Sequence, residues 1–177
     1  MRTAIHLSLL VAVCTLAAPL QSFAQKADVK AEALKDWTDM KATMVKIAAE
    51  MPEDKFSFKT TPPQRNFGEH VLHVAQANVG LSGSLGSGKA PAINMKATSK
   101  AEIIKGLEDS FDYVSTLITQ QTPDSMLETV KVPPFLGGAA SRARLVYTLI
   151  GHAWDTYGQM VVYLRLNGKV PPASQRP

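Results

Sequence analysis

Histidine side chains offer the clearest chemistry in this sequence. His70 and His73 lie three residues apart in the segment RNFGEHVLHVAQAN, directly after Glu69. Side chains three or four positions apart share one side of a helix, so these three residues can form one polar edge. Such an edge can bind a metal ion through neutral imidazoles, or it can be a partly buried, hydrogen-bonded boundary of the core. The spacing leaves both interpretations open.

A further histidine, His152, lies in the segment GHAWDTYGQMVVYLRLNG, which is largely apolar. Thr156 follows one helical turn later, rotated by only about 40° from His152. In such a stripe a histidine can be a ligand or a core residue with its hydrogen bonds satisfied. Trp154, Tyr157 and Tyr163 are interpreted as packing residues, because their helix is apolar on nearly every side.

The segment GSLGSGKA, residues 83–90, nearly matches a phosphate-binding loop. That motif needs a hydroxyl after its lysine and a strand before its first glycine. Here Ala90 takes the place of the hydroxyl, Pro91 follows, and a predicted helix precedes the loop. The segment is therefore interpreted as a flexible connection.

Apolar residues at three- and four-residue intervals predict four long helices, over residues 28–51, from 66 to about 80, from 99 to about 121, and 141–167. Asn66 with Glu69, and Ser99 with Glu102, have the spacing of capping boxes at the starts of the second and third helices. Gly168 is expected to stop the fourth helix.

The connections are rich in proline and glycine and show no convincing strand. Residues 53–64 are expected to be extended and packed on the helices, and Gly137 and Gly138 lie in a predicted loop before the fourth helix. Each amphipathic helix needs partners for its apolar stripe, so the predicted fold is an all-α four-helix bundle. The connection between the second and third helices is long enough for an order other than simple up-and-down.

Together, the two histidine segments and the tail YGQMVVYLRLNGKVPPAS resemble the DinB-like family over nearly all of the chain after its first residues. The resemblance implies a four-helix bundle, often dimeric, in which three histidines hold a divalent metal ion. Family members of known activity include metal-dependent thiol transferases and hydrolases.

Carried over residue by residue, the resemblance places family metal ligands at His73 and His152. The third ligand position falls on Thr156, which is not a histidine. Two histidines alone should bind a zinc, nickel or manganese ion weakly, since catalytic sites usually have three protein ligands. Asp155, Glu69 or His70 could complete the set, although none lies at the family's ligand position.

The amino terminus has the pattern of a secretory signal peptide. Arg2 provides a positive start, residues 9–16 are mostly apolar, and Ser22-Phe23-Ala24 offers small residues at a cleavage site. We therefore expect a signal peptide over residues 1–24, a mature domain over residues 25–177, and a periplasmic or secreted location. Cys14, the only cysteine, would be removed with the signal peptide.

Two functional hypotheses follow from these residues. The first is an exported bundle that retains part of a divalent-metal pocket, with no substrate indicated by the sequence. The second is a metal-free binding or structural bundle that forms a homodimer through the apolar surface of the fourth helix. The net charge of +4 is too small to indicate nucleic-acid binding, and polar residues within the fourth helix argue against a membrane span in the mature form.

Overall fold

The structure, a computed structural model, describes residues 27–175. The predicted signal peptide, including Cys14, lies outside the described residues. Among residues 27–175, no helix is both long enough and apolar enough to cross a membrane.

Four long helices and one short helix form the domain: α1 (Val29–Glu50), α2 (Phe67–Leu81), α3 (Lys100–Thr119), the short α4 (Pro123–Leu127) and α5 (Arg142–Leu166). The long helices begin and end within about two residues of the bounds predicted from apolar periodicity. The all-α prediction is confirmed for the domain as a whole.

Helix α2 begins at a complete capping box. The Asn66 side chain accepts a hydrogen bond from the Glu69 backbone N–H at 2.8 Å, and the Glu69 carboxylate accepts one from the Asn66 backbone N–H at 2.7 Å. Both bonds satisfy amide groups that a helix start leaves unpaired. They fix where α2 begins.

Helix α5 begins at the Ser141 cap and ends where the sequence predicts. Gly168 adopts a positive φ of 67°, and the Lys169 N–H donates to the Leu164 carbonyl at 2.9 Å. Glycine reaches this left-handed conformation without the steric cost that a side chain would cause.

The helices pack in the order α1, α3, α2, α5 around the bundle. Both α1 and α2 contact α3 and α5, so α1 lies diagonally across from α2. The connection from α1 to α2 and the connection from α3 to α5 therefore cross the bundle diagonally. The length of the connection between the second and third helices had instead suggested a departure from up-and-down order at that point. In the core, Trp37 of α1 stacks against Phe111 of α3 at 4.6 Å and donates to its carbonyl at 3.0 Å.

The loop before α5 contains a small hairpin that the sequence analysis missed. Strands β1 (Thr129–Lys131) and β2 (Ala139–Ser141) pair antiparallel, with Val130 opposite Ala140. Three residues are too few to show a strand period, so only the pairing reveals these strands. The positive φ values of Gly137 and Gly138 turn the chain between them.

Candidate functional site

Helices α2 and α5 bring His73 and His152 together. On α2, Val71 and Val74 are fully buried, and on α5 Leu149 and Ala153 are fully buried. These apolar residues set the rotation of each helix about its axis. Both histidines consequently lie at the edge of the α2–α5 contact, partly buried and facing each other.

The two imidazoles meet through their Nε2 atoms, which lie 3.0 Å apart. Their ring centroids are 4.8 Å apart, with the ring planes inclined at 66°. At this distance two neutral rings form one hydrogen bond, in which one Nε2 carries the proton and the other accepts it. The sequence-based pairing of these two residues is thus reproduced as a direct contact.

Both imidazoles are held in their neutral form. Burial lowers the pKa of His73 below its usual value, and the nearby Arg65 and His152 lower it further. Burial is also the main cause that lowers the pKa of His152, against an opposing effect of Asp155. Because a metal ion binds the neutral ring, the site needs no deprotonation of these residues near neutral pH.

The geometry of the pair fits two ligands of one ion. Imidazole nitrogens that bind one zinc ion tetrahedrally at about 2 Å lie about 3.3 Å from one another. The observed Nε2–Nε2 distance of 3.0 Å is close to this separation. An ion could therefore take the place of the shared proton with only small movements of the two rings, and that proton would move to Nδ1 of the ring that carried it, which keeps both rings neutral.

Thr156 occupies the third position but offers little to an ion. Its side chain is only 2% exposed, and its hydroxyl donates to the His152 carbonyl at 3.1 Å, within the same helix. A neutral hydroxyl engaged in this bond is a poor substitute for an imidazole. The departure seen in the sequence is therefore not repaired by the threonine itself.

The three residues that could have replaced the missing ligand are engaged elsewhere. Asp155 is exposed and accepts a hydrogen bond from Gln159 at 3.0 Å. Glu69 caps α2, and His70 faces Tyr163 across a distance of 3.2 Å. Within residues 27–175, no group of three or more histidine, cysteine or acidic side chains is placed to hold a metal ion.

His70 belongs to a buried polar network instead. The Tyr163 hydroxyl donates to the Arg65 carbonyl at 2.6 Å and lies 3.2 Å from His70 Nε2. Since the Tyr163 hydroxyl donates its only proton to the Arg65 carbonyl, His70 Nε2 must be the donor in its hydrogen bond to the Tyr163 oxygen. Burial, followed by the charge of Arg65, lowers the pKa of His70 to about 4.

This network ties the connection between α1 and α2 to α5. Thr60 lies 3.4 Å from the same Tyr163 hydroxyl, so both Thr60 and Arg65 are fixed to α5. The sequence analysis had interpreted Tyr163 as a packing residue and had not selected Arg65. Only the position of Arg65, directly before the α2 capping box, could have drawn attention to it.

Beside the histidine pair lies an open depression of about 390 Å³. His73 forms part of its surface, together with polar and charged side chains from α2 and from the preceding connection: Lys59, Gln64, Arg65, Glu69 and Gln76. His73 is therefore reachable by a small molecule, whereas His152 lies behind it and does not line the depression.

The packing interpretation of the α5 aromatic residues holds for two of the three. Tyr157 and Tyr163 are buried, whereas Trp154 is 50% exposed and contacts Tyr157 edge-on at 5.3 Å. Helix α5, whose sequence is apolar on nearly every side, has one face open in the single chain.

Comparison with known proteins gives the following matches. The family model described as the DinB superfamily matches residues 36–160. A crystal structure of a DinB-like protein from Bacillus cereus is similar, with a TM-score of 0.65 and 18% sequence identity, over 79% of this chain and 93% of that chain. At this identity the likeness concerns the fold alone. No curated protein sequence matches the chain significantly.

Proposed function

Because the chain belongs to the DinB superfamily, we propose that it is an exported member that binds a divalent metal ion through His73 and His152. The observation that carries this proposal is the 3.0 Å approach of the two Nε2 atoms at the edge of an open depression. Zinc, nickel and manganese are the candidate ions. Export rests on the signal-peptide pattern of residues 1–24.

In the proposed metal site, the two histidines would bind the ion, and the surrounding structure would control access to it. His73 and His152 supply neutral nitrogen lone pairs, because burial keeps the pKa of both rings low. A bound ion would supply an activated water or thiolate as the nucleophile. The open side of the site would admit the substrate, and the packed α2–α5 contact would exclude water from the other side.

Two features are expected to make the proposed metal binding weak. Thr156 leaves the site with two imidazoles, and the His152 Nδ1 atom is buried without a hydrogen-bond partner within the described residues. A metal-bound histidine usually donates this second N–H to an acceptor that orients the ring, and losing such a partner costs about 10- to 100-fold in affinity.

Titration calorimetry of the untagged protein with zinc tests the proposal. We expect weak one-to-one binding, and we expect His73→Ala and His152→Ala each to lower the affinity by about tenfold or more. Gln76→Ala is the matched control, because Gln76 lines the same depression from the same helix but is not a proposed ligand. Zinc binding that survives both histidine substitutions unchanged would refute these ligand assignments.

A second function is favoured by a different surface, the open face of α5. Tyr147, Trp154, Val162 and Leu166 are between 42% and 60% exposed and fall within about 120° of the helix circumference. Gly151 and Gly158 lie on the same face. A Cβ atom at either position would have no neighbouring atom within 4 Å, so a second helix could approach closely. We propose this face as a homodimer interface, which a metal-free structural bundle could use equally well.

Sedimentation equilibrium tests the dimer. We expect the wild-type protein to dimerise and Trp154→Glu to shift it to the monomer, because the substitution would replace an apolar contact by a carboxylate that loses its hydration on dimerisation. Phe135→Glu is the control, since Phe135 is 75% exposed but lies outside α5. A wild-type protein that stays monomeric at high concentration would exclude the interface.

A further inference from the structure

The depression beside the histidine pair has a defined construction. Its floor is one face of α2, where Glu69, His73 and Gln76 follow at four- and three-residue steps. Its wall is the connection between α1 and α2, which contributes Lys59 and Arg65. The volume of about 390 Å³ lies in the range of small-molecule sites.

The charges in this depression leave one cation uncompensated. Lys59 approaches the Glu69 carboxylate at 3.9 Å, and that carboxylate also accepts the backbone N–H of Asn66. Lys59 and Glu69 therefore largely offset each other. The ion pairs formed by residues 27–175 do not include the Arg65 guanidinium.

The guanidinium of Arg65 lies close enough to the histidines to influence them. Its charge contributes to lowering the pKa of His70, His73 and His152. Since Lys59 largely offsets Glu69, the bare depression holds no further carboxylate for this guanidinium among the residues that the structure describes, and an anion that enters it would be attracted to Arg65. This arrangement points to a negatively charged group in the depression.

The backbone of Arg65 is held in place before any ligand binds. Its carbonyl accepts the 2.6 Å hydrogen bond from Tyr163, whose side chain is only 3% exposed and lies on α5. The same hydroxyl contacts His70 of α2. Because this anchor uses only the carbonyl of Arg65, its guanidinium remains free to bind, and the backbone loses little further entropy when it does.

We propose that the depression binds the anionic group of a small-molecule substrate, a carboxylate or a phosphate, through the Arg65 guanidinium. The planar guanidinium can donate two parallel hydrogen bonds to either group. The remainder of the substrate would then lie over His73 and His152. This inference rests on the proposed metal site for the reaction, but the anion site itself needs only Arg65 and its anchor.

Nuclear magnetic resonance titration of the apoprotein, at ionic strength held constant with chloride, tests the anion site. Inorganic phosphate and succinate are the two probes, followed through the backbone amides of His73 and Gln76. We expect saturable shifts with at least one probe, and a roughly tenfold or greater loss of affinity in Arg65→Met. Arg65→Lys should retain part of the affinity, because it keeps the charge but loses the two-pronged geometry.

Arg144→Met is the matched control, because Arg144 is an exposed arginine in the first turn of α5 outside the depression. It should bind both probes like the wild type. Preference for phosphate would identify a phosphate ester as the ligand class, and preference for succinate a carboxylate. Shifts that are absent or non-saturable, or equal affinities in the wild type and Arg65→Met, would overturn the proposal.

Zinc titration of the same variants separates this inference from the proposed function. Arg65→Met should bind zinc at least as well as the wild type, because a nearby positive charge has been removed. Arg65-dependent anion binding in a protein that does not bind zinc would refute the metal site and leave the anion site standing. Zinc binding without Arg65-dependent anion binding would refute the anion site and leave the metal site standing.

Discussion

Replacing Thr156 with histidine is expected to raise the zinc affinity of the protein by about tenfold or more. Thr156 lies one turn beyond His152, a spacing at which two histidines of one helix can bind the same ion. Partners that merely orient a ligand already contribute about 10- to 100-fold, so a directly bound third imidazole should contribute at least as much. Titration calorimetry of the wild type and Thr156→His measures the gain.

Because Thr156 is buried, the Thr156→His variant needs a control in which a side chain of similar volume is introduced. Thr156 is 2% exposed, so a larger side chain must displace neighbours and could lower the stability. Thr156→Leu imposes a comparable change of volume without a ligand, and we expect it to bind zinc no better than the wild type. Adding His73→Ala to Thr156→His should abolish the gain.

If Thr156→His has the same zinc affinity as the wild type, the Asp155→Ala variant shows why. The structure places its carboxylate against Gln159, so Asp155→Ala alone should leave zinc binding nearly unchanged. If Thr156→His gave no gain and Asp155→Ala weakened the wild type, Asp155 would already be the third ligand. If neither substitution had an effect, the alignment of His73 with His152 as joint ligands would be wrong.

Acidification is expected to destabilise the protein through His70. Burial lowers the pKa of His70 to about 4 in the folded state, whereas an unfolded chain has a histidine pKa of about 6.5. Between these values the unfolded state binds the proton more readily, so the free energy of unfolding falls as the pH falls. The full loss from this residue is about 3 kcal/mol, complete once the pH drops below about 4.

Urea denaturation at a series of pH values from 7 to about 4 measures this effect. His70→Gln is the informative variant, because glutamine can donate a hydrogen bond to Tyr163 but cannot titrate in this range. The variant should show a shallower pH dependence than the wild type, even if its stability at pH 7 is lower. Parallel pH dependences would mean that His70 is not the residue responsible.

Local interactions explain which parts of the fold could be predicted from the sequence. The capping box of Asn66 and Glu69, the Ser141 cap and the Gly168 stop each involve residues within a few positions of one another. Apolar periodicity likewise depends on neighbouring turns of one helix. For that reason the helix bounds were predicted closely. The hairpin was missed, because its two strands of three residues each give no local signal.

The histidine pair was predicted in identity but not in geometry. The family resemblance selected His73 and His152, which are 79 positions apart, and the structure brings their Nε2 atoms to 3.0 Å. Helical spacing had also left His70 and Glu69 as possible ligands, although neither lies at the family's ligand position. Packing separated them, because the rotation of α2 turns His70 toward Tyr163 and leaves Glu69 at the capped helix end.

By itself, the sequence determined the four helical segments, their ends, the family and the two histidines, because those depend on local patterns and on residue identity. The tertiary structure decided the order of helices around the bundle, the exposure of Trp154, and the anchoring of Arg65 by Tyr163, 98 positions away. Each of these depends on which helix faces pack against each other. The apolar periodicity of one helix shows which face is buried but not which helix covers it. One wall of the depression beside His73 comes from the chain before α2, which a hydrogen bond from Tyr163 fixes to α5.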